Sequence, residues 1–410
     1  MSLSKTALAA MSVAGGSFLL LAASAAAQVA PVHTLSVTPA EHAALAALQA
    51  AVNSPDRAAQ DAALARARAA AQSAQARYGV ARLQLDIARA RQDPQLQAQA
   101  VDQLVESGAA QPAELAPLLA DQVARAYGAG QFQRADRTLA RLVELQPNNP
   151  AFLADHAQFK ARIGDRPQAV ALFQRALAAA AASGQAAPES WHRRALALAV
   201  EGRLGPQSVA FARGLVTAYP SPVNWRDALL VYRDLHSADP ALDLDVQRLM
   251  RAAQGLAGER DYMSFAEALS QASLAGEAKA VLDEGLSRGM LETSKPAVGQ
   301  LVTAINRRAT AERGTLARLR TQATAAADGR QARVAADTHY GHGQYAAAAE
   351  LYRTALQKGG EDPNLINTRL GAALALAGQR AEAEAALRAV TGPRADLAAF
   401  WLAWLSRPAA

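Results

Sequence analysis

GAGQFQRADRTLARLVELQPNNP, residues 128 to 150, reads as a turn, a helix and a stop. Gly130 suits the left-handed backbone that ends one helix. Phe132 begins the return and is expected to plug the junction between two helices. Ala135 is small where two helices would approach closely, and Leu139 and Leu142 continue an apolar stripe at helical spacing. Pro147 stops the run because it has no amide proton for the helical ladder. The stretch predicts the turn, second helix and stop of a helical hairpin.

The same order recurs. Gly164, Ala169, Phe173, Ala176 and Leu177 repeat it 34 residues after Gly130. Trp191 and Trp225 stand 34 residues apart, each near the head of a first helix, with Tyr219-Pro220 closing the hairpin between them. Gly343, Tyr345, Ala348, Tyr352, Ala355 and Leu356 form another copy. Gly378, Ala383 and Leu387 follow, with Leu370-Gly371 in the preceding helix.

A period near 34 with helix–turn–helix punctuation resembles the tetratricopeptide-repeat family. The resemblance rests on the Leu370-Gly371 pair, on Tyr345, Ala348, Tyr352 and Ala355, and on the closing Pro147. It implies an all-α fold, a solenoid of stacked helical hairpins wound as a right-handed superhelix. Its concave groove, lined by first helices, would hold a peptide or a partner helix.

The expected organisation is a signal peptide at 1–27, divergent helical repeats at 28–112 and a repeat array at 113–290. A connecting segment at 291–334, a repeat pair at 335–393 and a capping helix with its tail at 394–410 follow. Within the array, Tyr262 to Leu286 fits less well, because Gly276 falls late for a turn. Residues 225–257 lose the small-residue pattern after Pro240, and 296–334 hold no clear copy.

Composition agrees with helix. The 410 residues are 51% hydrophobic and only 5% aromatic, and alanine, the best helix former, dominates. The net charge of +6 is carried almost wholly by Arg, interleaved with acidic residues along the helices. Lys5, the apolar run Leu8 to Leu21 and the small residues ending at Ala27 predict export, with cleavage before Gln28 and a periplasmic destination. No later stretch approaches the ~20 apolar residues of a membrane span, so none is expected after cleavage. With no cysteine in the chain, thiol catalysis and thiolate metal sites are excluded.

Motifs that carry chemistry are scarce in the chain. The chain holds neither a phosphate-binding loop ending in Gly-Lys-Ser/Thr nor a Gly-x-Ser-x-Gly elbow. His339 and His342 are three apart, with Asp337 nearby, but two imidazoles are short of a metal site and packing is the expected role. His192 stands beside Glu189 and Ser190, where Ser190 is expected to cap a helix and Trp191 to pack. Asp261-Tyr262 and Glu382-Ala-Glu384 read as helix-start or surface charges. Trp191, Trp225, Tyr262, Tyr345 and Tyr352 read as scaffold.

A clamp for a terminal carboxylate would need a consistent Asn/Lys/Arg set six residues before each turn glycine. The positions hold Ala124, Gln158, Asp337 and Ala372. Arg307, Arg308, Arg313, Arg318 and Arg320 form the densest basic cluster, read as a solvated face or an anion-binding surface. Nucleic acid is not the expected partner of an exported chain without interleaved aromatics.

No catalytic, cofactor or metal site is expected. The expected function is a non-enzymatic periplasmic scaffold or adaptor binding an envelope protein or peptide segment in the groove. The alternatives are an accessory of exopolysaccharide export or outer-membrane assembly, and a cell-wall hydrolase with a helical superstructure.

Overall fold

The computed structural model describes residues 37–236 and 239–407, and the expected signal at 1–27 lies outside them. The described residues form 21 α-helices, one 3-10 turn and no strand. The fold is an all-α helical-repeat solenoid. No described helix is long and apolar enough to cross a membrane. The chain divides into two compact units at residues 111 and 112.

The first unit holds α1 (Pro39–Ala51), α2 (Arg57–Ala70), α3 (Ala74–Arg91) and α4 (Pro94–Glu106). Thr38, Asp56, Ser73 and Asp93 cap their amino ends by accepting from free backbone N–H groups. Leu48, Leu64, Val80 and Ile87 share a core. Buried Glu41 accepts from the Thr38 backbone N–H at 2.8 Å. It also accepts from those of Gln72 at 2.8 Å and Ser73 at 2.7 Å. One carboxylate thus ties the start of α1 to the start of α3.

The second unit begins with three hairpins: α5 (Pro112–Gly128) with α6 (Phe132–Leu145), α7 (Pro150–Arg162) with α8 (Arg166–Ala182), and α9 (Glu189–Glu201) with α10 (Gly205–Ala218). Each second helix also packs on the next first helix, through to α11 (Pro222–Leu235). Gly130 and Gly164 take the expected left-handed φ of 70° and 87° in the turns. Arg203 fills the corresponding position between α9 and α10 at φ 55°. Phe132 packs at the expected junction, against Tyr127 and Phe159, but departs from a buried plug in being 47% exposed at the start of α6. Ala135, Leu139 and Leu142 of the same helix are buried as expected.

Later hairpins are α13 (Gly258–Gln271) with α14 (Ala275–Ser287), α17 (Arg330–Gly341) with α18 (Tyr345–Lys358), and α19 (Pro363–Leu376) with α20 (Arg380–Arg388). The turn of the first is made by Ser273 at φ 60°. Gly276 is not a turn residue. It lies in the first turn of α14, where a Cβ would fall 2.5 Å from the His342 imidazole. That missing side chain lets α14 approach α17 directly. The intervening α15 (Pro296–Arg313) packs on α14, and α16 (Leu316–Ala325) packs on α17 and α18. Both helices therefore remain packed on their neighbours in the stack.

α12 (Pro240–Ala252) is buried on every side, with residues 244–250 all out of solvent. A helix buried all round needs partners all round. Its partners come from α14, α17, α19 and the 3-10 turn Gly392–Arg394. The last helix, α21 (Ala395–Leu405), covers α19 and α20 and also reaches α10 and α11. Phe400 packs edge-on to Trp225 at 6.4 Å and Tyr232 at 5.6 Å. The Trp404 indole donates to the Ala252 carbonyl at 3.2 Å. The expected end cap is therefore also an interior tie.

Candidate functional site

The resemblance predicts a groove lined by first helices, such as α17 and α19. Here the chain's own α12 meets them. Asp245 and Arg248 of α12 lie among Tyr340, Thr368, Arg369, Ala372 and Trp401, and the space between them is too small for a water molecule. Arg248 donates to Glu277 at 2.6 Å and to Asp245 at 2.9 Å. Arg369 donates to Asp245 at 3.0 Å and to Asp337 at 2.9 Å. Arg394 donates to Asp245 at 2.7 Å. Tyr352 donates its hydroxyl to Asp337 at 2.6 Å, and the Arg248 guanidinium lies 4.6 Å from the Tyr340 ring centre.

Three buried guanidiniums and three buried carboxylates therefore pair in a dry interior, and the partly exposed Arg333 also donates to Asp337 at 2.9 Å. Burial alone would raise the Asp245 carboxyl, but Arg369, Arg248 and Arg394 together hold it below its ordinary value. Burial would likewise lower Arg248, and Glu277 and Asp245 reverse that and push it up. Both groups stay charged, which suits an internal lock. A proton-transfer site needs a group poised to change its charge.

The sequence-predicted candidates fall elsewhere. His339 pairs through Nδ1 with Gln344 at 2.6 Å. His342 rests on Gly276 with Nε2 3.3 Å from Glu312. Burial lowers the His342 imidazole, with the nearby Arg313 and His339 charges adding to it. Among the described residues, no group of three His, Asp or Glu side chains converges as metal ligands. His192 packs between α9 and α10, edge-on to Tyr219 at 5.8 Å, and burial lowers it.

Ser190 does not cap α9. Pro188 occupies the cap position, and Glu189 accepts from Asn224 and Arg193, both at 2.9 Å. Asp261 pairs with Arg226 and accepts from the Ala257 N–H at 2.9 Å; Tyr262 is buried and donates to Glu284 at 3.1 Å. Glu382 pairs with Arg353, and Glu384 with Arg380 and Arg388, all at the surface. Trp225, Tyr262 and Tyr352 are fully buried, while Trp191 and Tyr345 pack partly buried against the same core.

Open apolar surface lies at the turn edge of α5 to α11. Tyr127, Phe132 and Phe159 form a triangle of rings with centres 5.9 to 6.4 Å apart, joining the first hairpin to the second. The Arg162 guanidinium lies 4.9 Å from the Tyr127 ring centre, and Ile163 beside it is 45% exposed. Leu235, 48% exposed at the end of α11, borders Gly205 at the α9–α10 turn. Phe132 thus lies at the α5–α6 turn, Ile163 at the α7–α8 turn and Leu235 beside the α9–α10 turn.

No protein-family model and no curated protein matches the chain. Among solved structures, a tetratricopeptide repeat protein from Parabacteroides merdae is similar over 63% of this chain and 98% of its own, at 13% identity and a TM-score of 0.27. A signal transduction ATPase with numerous domains and a tetratricopeptide repeat sensor, from Pyrococcus horikoshii, is similar over 90% of this chain and 60% of its own, at 13% identity and a TM-score of 0.26. The class of this chain rests on its own geometry. It is an all-α helical-repeat protein whose hairpins turn on left-handed residues, 34 apart at Gly130 and Gly164 and 35 apart at Gly343 and Gly378.

Proposed function

We propose that this chain is a non-enzymatic, exported scaffold that holds an envelope protein along the turn edge of α5 to α11. Its support is Phe132 at the α5–α6 turn, Ile163 at the α7–α8 turn and Leu235 beside the α9–α10 turn, each nearly half exposed. Apolar side chains repeated along a rigid edge suit an extended apolar segment of a partner. The interior of α12, α17 and α19 is filled by the chain itself, which supports the outer edge over an inner groove as the contact surface there. The Lys5 and Leu8–Leu21 leader supports a periplasmic location.

A photoreactive residue at position 163, crosslinked in cells and resolved by mass spectrometry, tests the reading. One dominant envelope protein, lost when Phe132 and Leu235 are changed to Ser, is the expected result. Crosslinks to cytoplasmic proteins alone, or capture indifferent to those changes, would overturn it. Recovery of polysaccharide-export components would place the scaffold beside an export apparatus.

A further inference from the structure

Residues 295–325 hold six cations and one anion, a net +5 out of +6 for the whole chain. The other residues carry 36 cations against 35 anions. The excess charge is thus concentrated in α15, α16 and the residue before them. α15 buries a single stripe, Val298, Ile305 and Ala309, and turns its other faces outward. A surface depression of about 430 Å³ is lined by Gly299, Gln300, Thr303, Ala304 and Arg307.

Some of the charge is already engaged. Arg308 donates to Ser270 at 2.7 Å, Arg320 to Glu350 at 2.6 Å and Lys295 to Glu259 at 2.5 Å. Arg307, Arg313 and Arg318 are exposed. Among the described residues, none of the three makes an ion pair.

We propose that the α15–α16 face docks an acidic polypeptide segment of a partner, gripped by Arg307, Arg313 and Arg318. The guanidinium fork matches a carboxylate with two parallel hydrogen bonds, which favours Glu and Asp side chains as its counterpart. The depression beside Arg307 offers Gln300 and Thr303 as neutral hydrogen-bonding groups to a protruding chain. A bilayer is the weaker fit: the exposed side chains of this face include no bulky apolar residue to enter a membrane interface. This surface is separate from the apolar edge, and either can fail without the other.

The test uses the mature chain and a fluorescein-labelled Glu-rich peptide, followed by fluorescence anisotropy at low and at near-physiological salt. Phosphatidylglycerol vesicles are titrated in parallel. The triple variant Arg307→Gln, Arg313→Gln, Arg318→Gln is compared with Arg137→Gln, Arg166→Gln, Arg380→Gln, which removes equal charge from other exposed helices. Binding that weakens about tenfold in the first triple and stays near native in the second is expected, with affinity falling as salt rises. Equal weakening in both triples, binding to vesicles without binding to peptide, or no peptide binding at low salt would overturn the proposal. Far-UV circular dichroism verifies that both triples keep native helix content.

Discussion

Arg369 donates to Asp245 at 3.0 Å across 124 positions of sequence. The bond fastens α19 to α12, and Arg394 adds a second tie to the same carboxylate from 149 positions away. Removing one member of a buried ion pair leaves an uncompensated charge, at a cost of about 3–5 kcal/mol. Asp245→Ala leaves Arg369 and Arg394 short of an anion and is expected to destabilise the second unit by that amount. Glu384→Ala, at an exposed pair, is expected to change stability by about 0.5 kcal/mol or less. Urea unfolding of both variants decides the matter. A loss at Asp245 of about 1 kcal/mol or less would mean that the cluster contributes nothing beyond its neighbours' packing.

Gly276 predicts the packing of α14 on α17. A Cβ there would meet His342 Cε1 at 2.6 Å as well as Nε2, so the imidazole must move for any larger residue to fit. Forcing an extra methyl into a packed contact costs about 1–3 kcal/mol. Gly276→Ala is expected to lower the melting temperature and to accelerate amide exchange in α14 and α17. Unchanged exchange in both helices would show that His342 swings away freely.

These two contacts mark the boundary of what the sequence discloses. Gly130, Gly164, Gly343 and Gly378 announce their turns because glycine meets no steric penalty at positive φ. The α9–α10 and α13–α14 turns carry Arg203 and Ser273 in the same conformation, so no glycine marks the left-handed position itself. α12 was illegible for a different reason. Its buried charges look like an ordinary polar face until Glu277, Arg369 and Arg394 arrive from distant helices. The exposure of Phe132 and Ile163 is equally hidden, since an apolar residue beside a turn reads as buried.

Ser273→Gly follows from the same point. A non-glycine residue in the left-handed region costs about 1–2 kcal/mol, and glycine gives back about 0.5–1 kcal/mol through its freer unfolded chain. The substitution is expected to stabilise the second unit by about 0.5 kcal/mol, within the error of many assays but visible as a rise in melting temperature. A fall in melting temperature would indicate that the Ser273 side chain contributes more than its backbone strain removes.

Glu41 gives the first unit an acid limit. Backbone N–H groups of Ser73 and Thr38, outweighing its partial burial, hold its carboxyl at about 2, below the ordinary 4.5. The folded value is depressed, so its stabilising contribution is complete above about 4.5 and declines as pH falls toward 2. Amide exchange at the starts of α1 and α3 is expected to quicken across that window in the native chain. Glu41→Gln is expected to show fast exchange already at neutral pH and little further change on acidification. A native-like pH profile in the variant would remove Glu41 from the account.

Phe400 tests the interior tie at the other end of the chain. Its ring is fully buried between Trp225 and Tyr232, both also fully buried. Truncating a buried Phe to Ala costs about 3–5 kcal/mol, because the lost contacts leave a cavity. Phe400→Ala is expected to loosen α21 from α10 and α11 first. Its disengagement admits water to Trp225, Trp401 and Trp404, so tryptophan emission should move to the red at denaturant concentrations where far-UV circular dichroism still reports native helix. If emission and dichroism of the variant change together, α21 is part of one cooperative core and the second unit unfolds as a whole. If the emission shift comes first, α21 is a separable clasp, and the α10–α11 surface under it can open without unfolding the repeats.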